Sequence, residues 1–415
     1  MTPGATDALL VQLARPTGEW VDVGVLRRHE ETNWFETLAS YWELDGRPVL
    51  GQVFEERGPA WRPHARVRLP PWFSHLLPEG QLRAAVAHAA AVKEEREFFL
   101  LSRIGGDDLP GALRTRRYDD AGSTFAPATV APDDERGDDL GPLKFSLAGL
   151  QLKFSVRGDE RGLTIPARGE AGDWIVKLPD RRPGFEGVPE AEFAGLELAR
   201  CAGIEVPETR LIDVAEIRGL PDWARGRGGQ ALAIRRFDRT ATGGRVHVEE
   251  LAQVLEVSTG RERDRYERAN FETVARVTAA LCGPESVAQI IDRIVLNVLI
   301  GNGDAHTKNW AYRYPDGRSA ELSPAYDIVP TVLYIPDDDL GLKLAGSRAF
   351  ADVRLGAFQR LADRAGWDGT LGRARAAAAV KRVIDAWPVL GDHLPVESVD
   401  RLTARREKLP LARAT

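Results

Sequence analysis

The segment LNVLIGNGDAHTKNWAYRYPDGRSAELSPAYDIVPT, residues 296–331, carries the densest set of chemically active side chains in this sequence. Asp304, His306, Lys308 and Asn309 fall within six residues directly after an apolar run, and Asp327 follows. Burying such groups without partners would cost roughly 2–7 kcal/mol each, so packing explains them poorly. Because catalytic groups concentrate on loops held by rigid elements, this segment predicts an active-site loop.

The types and spacing of these residues fit phosphoryl transfer. That chemistry needs a carboxylate to orient the attacking hydroxyl, oxygen ligands for Mg²⁺ and a lysine on the phosphates. Asp304 and Asn309 are five residues apart, which is the Asp-to-Asn spacing of the protein-kinase catalytic loop. Asp327, eighteen residues after Asn309, is the candidate for a second metal-binding carboxylate. Lys308 is either a contact for the transferring phosphate or a solvated loop charge.

A lysine for the phosphates is found upstream, inside the apolar strand WIVKLP. Lys177 at this position is predicted to bind phosphate, although a lone strand lysine is ordinarily an edge or surface residue. Glu190 and Glu192 open the following helix, and either could pair with Lys177. Their alternative role is that of acidic residues that stabilise the first turn of a helix.

The loop that covers the phosphates is less clear from the residues. Neither G-x-G-x-x-G nor G-x-x-x-x-G-K-[ST] occurs in the sequence. The candidate is SLAGLQLKF, Ser146 to Phe154, where small residues would let backbone amides approach phosphate. A strand turn with one glycine is common, so this signal is weak by itself.

Composition limits the classes of protein that remain. The chain has 415 residues and a formal net charge of −6, which predicts two or three domains or one bilobal domain and disfavours nucleic-acid binding by the whole surface. Cys201 and Cys282 are too few for a disulfide framework or a cysteine zinc site. No apolar run approaches ~20 residues and no secretion signal is evident, so we expect a cytoplasmic protein without membrane contact.

Hydrophobic periodicity predicts an α+β chain with four parts. Residues 1–116 form a β-rich N-terminal part, in which the runs ALLVQLAR, WVDVGVLRR, YWELDGR and PVLGQVF are predicted strands. Residues 117–142 are rich in Asp, Gly and Pro and predict a flexible acidic linker. Residues 143–245 predict a small α+β lobe, and residues 246–415 a mostly helical lobe. The arginine-rich run RERDRYER is expected to be a solvated helix face.

Six motifs in this order resemble the HipA family of toxin serine/threonine kinases: SLAGLQLKF, WIVKLP, AGIEVPE, RRFDR, LIGNGDAHTKNW and LSPAYDI. The N-terminal runs FSHLLPEG and GGDDLPGAL resemble that family's N-terminal subdomain. The resemblance covers nearly the whole chain. It implies a bilobal protein-kinase-like fold with an added β-rich N-terminal subdomain and a mostly helical C-terminal lobe.

The resemblance also implies roles for individual residues. Asp304 matches the catalytic Asp, Asn309 and Asp327 match Mg²⁺ ligands, and Lys177 matches the lysine on the ATP phosphates. The phosphate loop is matched by Ala148, Gly149, Leu150, Gln151, Leu152 and Lys153, and the adenine-contacting linker by Arg235, Arg236 and Phe237. Ser146 matches a serine that the family autophosphorylates, which expels the loop and stops ATP binding. ATP and Mg²⁺ are the implied cofactors.

The resemblance implies a protein substrate in the translation machinery, with an aminoacyl-tRNA synthetase as the known example. It also implies a small DNA-binding antitoxin as partner, through which alone DNA would be contacted. Two alternatives stay open: a corepressor that acts by binding the antitoxin, and a small-molecule kinase. Asp304 and His306 could instead belong to a metallohydrolase, although the other histidines show no ligand spacing.

Overall fold

A computed structural model describes residues 7–106, 108–118, 152–159, 162–166, 171–180, 182–226 and 228–414. Ser146, the loop residues Ala148 to Gln151 and nearly all of the predicted linker at 117–142 lie outside these ranges. Among the described residues, none of the helices has the length and apolar character needed to cross a membrane.

The N-terminal domain is an antiparallel sheet with short helices. The strands are β1 (Asp7–Ala14), β2 (Trp20–His29), β3 (Thr32–Thr37), β4 (His64–Arg66) and β5 (Leu113–Arg117), in the order β4-β3-β2-β1-β5. The helices are α1 (Ala39–Glu43), α2 (Gln52–Arg57), α3 (Pro71–Ser74), α4 (Gly80–Ala89) and α5 (Glu97–Ile104). Both faces of β1 are buried, since Leu9 and Val11 belong to a large apolar core and Ala8 and Leu10 to a small cluster on the opposite face.

The second unit, which we name the nucleotide lobe, is a second antiparallel sheet with one long helix. It comprises β6 (Lys153–Asp159), β7 (Gly162–Thr164), β8 (Trp174–Lys177), α6 (Val188–Cys201), β9 (Thr209–Asp213), α7 (Asp222–Arg225) and β10 (Gln230–Arg235). The strand order is β7-β6-β8-β10-β9.

The C-terminal part, the helical lobe, contains a three-stranded sheet in the order β11-β12-β13. Its elements are β11 (His247–Glu250), α8 (Leu251–Val254), α9 (Asp264–Glu267), α10 (Phe271–Cys282), α11 (Val287–Ile300), β12 (Ala311–Tyr314), β13 (Glu321–Leu322), α12 (Leu355–Arg364), α13 (Gly369–Ala386) and α14 (Val396–Lys408). Helices α11, α12 and α13 pack on one another at the centre of this lobe.

In the described ranges, two large hydrophobic cores and one small cluster at Ala8, Leu10 and Val25 hold the chain together. One core lies in the helical lobe and also takes in the inner face of α6. The other is shared by the N-terminal domain and the nucleotide lobe, since Phe35 and Phe73 belong to the same cluster as Phe154 and Val176. The N-terminal domain is therefore packed into the nucleotide lobe through apolar side chains.

Two of the predicted strands in the N-terminal domain are wrong. YWELDGR overlaps helix α1, and PVLGQVF enters helix α2. The hydroxyl of buried Tyr41 donates to Pro48 O at 2.6 Å and accepts from Leu50 N at 3.1 Å. These bonds occupy Pro48 O and Leu50 N, and Val49 N donates to Gly317 O at 2.8 Å, so an apolar run that resembles a strand remains a loop and a short helix.

Candidate active site

Helix α11 leads directly into the predicted catalytic loop. The helix is buried along most of its length and ends at Gly301, whose φ of 80° is the left-handed conformation that favours glycine. The side-chain oxygen of Asn302 then accepts from Asp304 N at 3.0 Å, and its amino group donates to Asp327 O at 3.2 Å. This single amide fixes the spacing between the two segments that carry Asp304 and Asp327.

Asp304 faces the cleft with 53% of its side chain exposed. Its Oδ1 accepts a hydrogen bond from the Tyr266 hydroxyl at 2.5 Å. The enclosing protein raises the pKa of Asp304 to about 6, and the Asp327 carboxylate adds to this, while the Tyr266 bond opposes it. The carboxylate is thus accessible and ionised at neutral pH, as a group that orients a hydroxyl must be.

His306 and Lys308 are both buried in the turn after Asp304. Nδ1 of His306 accepts from Lys308 N at 3.3 Å and caps the 3₁₀ turn Thr307–Asn309. Burial lowers the pKa of His306 to about 3, so the imidazole is neutral. Lys308 Nζ lies at the cleft and donates to Glu79 Oε1 at 2.6 Å. His306 therefore braces the loop, and Lys308 is an ion-paired residue of the cleft rather than a solvated charge.

Lys177 lies at the end of β8 between two carboxylates. Its Nζ donates to Glu192 Oε1 at 2.5 Å and also to Asp327 Oδ1. Burial alone would lower the pKa of Lys177, but the two carboxylates raise it above its ordinary value. Lys153, opposite Lys177 in the sheet register, has its Nζ 3.8 Å from Asp327 Oδ1. Of the two candidate glutamates, Glu192 rather than Glu190 is the partner of Lys177.

Asn309 and Asp327, the two predicted Mg²⁺ ligands, lie beside the same small cavity. Asp327 has a φ of 54°, a left-handed conformation that aspartate tolerates better than most residues with a side chain. Oδ1 of buried Asn309 has no hydrogen-bond partner among the residues that the structure describes. Both residues line a cavity of about 20 Å³ with Asn302, Tyr326 and the buried Arg293, which has room for one water-sized species. Mg²⁺ is commonly held by one or two protein oxygens together with substrate phosphates, so this donor set fits it.

The metallohydrolase alternative requires a larger set of ligands. Within the ranges given above, no group of three or more His, Cys, Asp or Glu side chains is placed to hold a metal ion. The Asp304–His306 pair does not gain the additional ligands that such an enzyme needs.

The site residues surround one cleft of about 550 Å³ between the lobes. Charged groups, including Lys153, Lys177, Asp304, Lys308 and Asp327, line one part of it. The remaining wall is largely apolar and is formed by Ile175, Val188, Ile234, Phe237, Val248, Val329 and Tyr334. A mostly apolar cleft with a few convergent polar groups is typical of a small-molecule site.

We predicted that the linker at Arg235 and Arg236 contacts adenine through backbone groups, but the backbone amides of both residues are bonded within the protein. Their backbone amides already donate to Glu208 O at 2.8 Å and Asp173 O at 2.9 Å. Neither amide is therefore available to a ligand without breaking a bond to protein. Phe237, whose ring centroid is 5.6 Å from that of Tyr326, offers an apolar surface to the cleft.

The side chain of Arg236 belongs to a buried ion cluster that joins the N-terminal domain to the nucleotide lobe. It donates to Asp108 Oδ1 at 2.7 Å and to both carboxylate oxygens of Asp238. Arg239 donates to Asp108 at 3.1 Å and to Asp238 at 2.9 Å. Since Asp108 comes from GGDDLPGAL and the others from RRFDR, these two motifs interlock.

Several cleft residues were missed by the sequence reasoning. Arg265 and Tyr266 lie in RERDRYER, so the expected solvated face is wrong at these two positions, which line the cleft. Glu79 comes from FSHLLPEG of the N-terminal domain and reaches the catalytic loop. Asn302 stood within the quoted motif but carried no assigned role. The order of the motifs alone could not signal these contacts, because they join segments far apart in the chain.

Comparisons with known proteins define the family. Residues 145–389 match the HipA-like C-terminal domain and residues 19–116 match the HipA N-terminal domain. A Sinorhizobium fredii protein named "Putative kinase Y4dM" is 41% identical over 370 residues, covering 86% of both chains. A second protein of that organism, "Putative kinase Y4mE", is 31% identical over 359 residues, covering 78% of this chain and 80% of its own. The chain belongs to the HipA family, which confirms the resemblance seen in its motifs.

The solved structures support the predicted fold. The HipA chain in a Shewanella oneidensis complex of HipA, HipB and operator DNA aligns with a TM-score of 0.68 at 19% identity. The alignment covers 98% of this chain and 96% of that one. The α+β, bilobal, protein-kinase-like fold with a β-rich N-terminal region and a helical C-terminal lobe is therefore confirmed.

Proposed function

We propose that this protein is an ATP- and Mg²⁺-dependent serine/threonine protein kinase of the HipA toxin type. The observation that supports it most is the convergence on one cleft of Lys177, from the nucleotide lobe, with Asp304 and Asp327, from the segment 296–331. Lys177 is paired with Glu192 on α6, and a Lys–Glu pair of this kind is required in active protein kinases. Membership in the HipA family supports the same activity.

In this proposal, ATP lies in the cleft with its base against the apolar wall and Phe237. Lys177 and Lys153 contact the phosphates, which then replace part of their interaction with Asp327. Asn309 and Asp327 would hold Mg²⁺, which when bound neutralises charge on the phosphate oxygens. The unpartnered Oδ1 of Asn309 supports this assignment, since an amide oxygen is an acceptable ligand for a hard cation.

Transfer moves the γ-phosphoryl group from ATP to a serine or threonine hydroxyl. The bond between the γ-phosphorus and the bridging oxygen breaks, ADP leaves, and a new bond forms to the acceptor oxygen. Asp304 orients the hydroxyl and receives its proton, for which its exposure in the cleft and its pKa of about 6 are suitable. Lys308 would stabilise charge on the transferring group, and His306 holds the loop in shape.

The proposed acceptor is a component of the translation machinery, with an aminoacyl-tRNA synthetase as the family example. Ser146, outside the described residues, is the proposed site of autophosphorylation and lies just before the proposed phosphate loop Ala148–Lys153. A small DNA-binding antitoxin is the proposed partner, supported by the Shewanella neighbour, which is a complex with HipB and operator DNA. Contact with DNA would occur through that partner.

Transfer of label from γ-labelled ATP tests the function. We expect the wild-type protein to label itself and to lose this activity in Asp304→Ala. Asp385→Ala, which removes an exposed carboxylate on α13, is the matched control and should retain activity. Ser146→Ala should lose self-labelling while still phosphorylating other acceptors. Absence of transfer by the wild type to any acceptor would contradict the proposal.

Two alternative functions predict different results in the same assay. A small-molecule kinase would label metabolites but no proteins in a cell extract. A corepressor would bind its antitoxin equally well as wild type and as Asp304→Ala, with no label transferred. A comparison of phosphosites in cells with and without the active protein separates protein acceptors from metabolites.

A further inference from the structure

The N-terminal domain contributes a side chain to the active site. Glu79, in FSHLLPEG, lies at the start of α4 and lines the same cleft as Asp304. Its Oε1 accepts from Lys308 Nζ at 2.6 Å and its Oε2 accepts from Arg265 Nη1 at 3.1 Å. One carboxylate from the N-terminal domain thus holds two cations of the helical lobe.

The cations that Glu79 holds are close to the catalytic loop. Arg265 Nη1 lies 3.4 Å from His306 Nε2, and the next residue, Tyr266, donates to Asp304. Lys308 belongs to the same turn as Asn309. We propose that Glu79 is a positioning residue of the kinase active site, which sets Lys308 and Arg265 beside Asp304. This inference rests on the proposed kinase function.

A purely structural role for Glu79 is disfavoured by the other contacts between the same parts of the chain. The N-terminal domain is already fixed by bonds such as His75 Nε2 to Val257 O at 2.8 Å and Trp72 Nε1 to Glu249 Oε1 at 2.7 Å. Asp108 adds the buried ion cluster described above. Of these contacts between the N-terminal domain and the rest of the chain, those of Glu79 are the ones that involve charged side chains at the catalytic loop, Lys308 and Arg265.

The consequence of losing Glu79 follows from what else surrounds Lys308. The second carboxylate near its Nζ is that of Glu250, at 3.7 Å. Without Glu79, Lys308 would move towards Glu250, and the ion pair left to Arg265 would be that with the largely exposed Glu262, at 3.4 Å. A displacement of about 1 Å can reduce catalysis by as much as ~100-fold, whereas Lys177 and Asp327, which contact the nucleotide, are unaffected.

The test compares kcat and KM for ATP in Glu79→Gln, Glu79→Asp, Lys308→Met and the double variant Glu79→Gln with Lys308→Met. The control is Glu55→Gln, which removes an equally short ion pair with Arg47 at 2.5 Å elsewhere in the N-terminal domain. We expect Glu79→Gln to lower kcat by roughly 10- to 100-fold with KM for ATP changed less than about 3-fold. Glu79→Asp should recover part of kcat, and the double variant should be no slower than Lys308→Met alone.

Three results would overturn the proposal: a kcat for Glu79→Gln equal to that of Glu55→Gln, multiplicative losses in the double variant, or a kcat that rises. A rise would mean that Glu79 restrains Lys308. A wild-type protein without any transfer activity would instead refute the kinase function itself, so the two failures are distinguishable. Melting temperatures of all variants identify any loss of kcat that comes from unfolding.

Discussion

At the scale of single residues, Asp304 is controlled by groups from another segment. The protein that encloses Asp304 raises its pKa to about 6, and the hydrogen bond from Tyr266 counteracts this rise. A carboxylate that orients a hydroxyl must be ionised, so activity should fall as the pH drops through this pKa. Tyr266 therefore extends the active range towards lower pH.

Replacing Tyr266 by Phe tests this account. Loss of the hydrogen bond raises the pKa of Asp304, so the acid limb of kcat/KM should move to higher pH while activity at pH 8 is largely retained. Tyr334→Phe is the control, because Tyr334 lines the cleft without a hydrogen bond to Asp304. The account fails if the two variants have the same acid limb.

The sequence predicted those site residues that lie close together in the chain. Asp304, Lys308 and Asn309 share one loop, so their spacing alone indicated a common site. Tyr266 and Glu79 could not be found in this way, because their contacts depend on how distant segments pack. The choice of Glu192 over Glu190 depends on how the helix is rotated. Side chains two positions apart in a helix point about 200° away from each other, so one of the two faces Lys177 and the other does not.

At the scale of elements, buried polar contacts join the N-terminal domain to the rest of the chain. Asp108 neutralises Arg236 and Arg239, which are almost fully buried. Breaking a buried ion pair by removing one partner is costly, because the other charge remains buried. The same reasoning predicts that exposed ion pairs, such as Arg28 with Asp7, contribute little to the free energy of unfolding.

Asp108→Asn should lower the free energy of unfolding by about 3 kcal/mol or more. Asp7→Asn, the control, should change it by at most ~1 kcal/mol, because that pair is exposed. Urea denaturation of both variants measures the two values. Equal losses would contradict a stabilising role for the buried cluster.

A second buried contact predicts a pH dependence of stability. Glu249 on β11 accepts hydrogen bonds from Trp72, Gln52 N and Tyr314, yet burial raises its pKa from 4.5 to about 7. A raised pKa in the folded state means that its stabilising contribution is present below pH 4.5 and is lost as the pH rises through 7.

Glu249→Gln should abolish this loss, because glutamine keeps the oxygen acceptor and never ionises. Relative to wild type, the variant should gain stability between pH 5 and pH 8, by as much as ~3 kcal/mol. Thermal or urea unfolding at pH 5 and pH 8 measures the difference in stability between the variant and wild type. Glu36→Gln is the control. A difference that stays constant with pH would refute the assignment.

Other elements show where the sequence pattern was sufficient to predict the secondary structure. The runs ALLVQLAR and WVDVGVLRR were correctly predicted as strands β1 and β2, because apolar and β-branched residues favour strands. Residues 41–54 were predicted wrongly as strands, since Pro48 O and Leu50 N bond to the Tyr41 hydroxyl rather than to a sheet neighbour. Side-chain bonds of that kind leave no periodic pattern.

At the scale of the whole molecule, the N-terminal domain and the nucleotide lobe share one hydrophobic core. The domain boundaries at residues 116 and 143 were drawn where the amino-acid composition changes. They remain a prediction. Because Phe154 and Val176 lie in the same apolar cluster as the N-terminal sheet, the two units should unfold together.

Deleting residues 1–116 tests this coupling. The deletion exposes one side of the shared core, so the remaining chain should aggregate or melt at least roughly 10 °C lower. Scanning calorimetry of the full chain should show one transition for both units. A truncated chain that keeps its melting temperature and binds nucleotide would show that the N-terminal domain is an independent attachment.

The central claim is that Lys177, Asp304 and Asp327 serve one magnesium-bound triphosphate, and calorimetric titration with ATP in the presence of Mg²⁺ tests it most directly. We expect Asp327→Ala to abolish Mg²⁺-dependent binding, since a metal ligand supports the bound ground state. Asp304→Ala should bind nearly as tightly as wild type, because an orienting carboxylate acts mainly on transfer. Equal ATP affinities for wild type and Asp327→Ala would contradict the account.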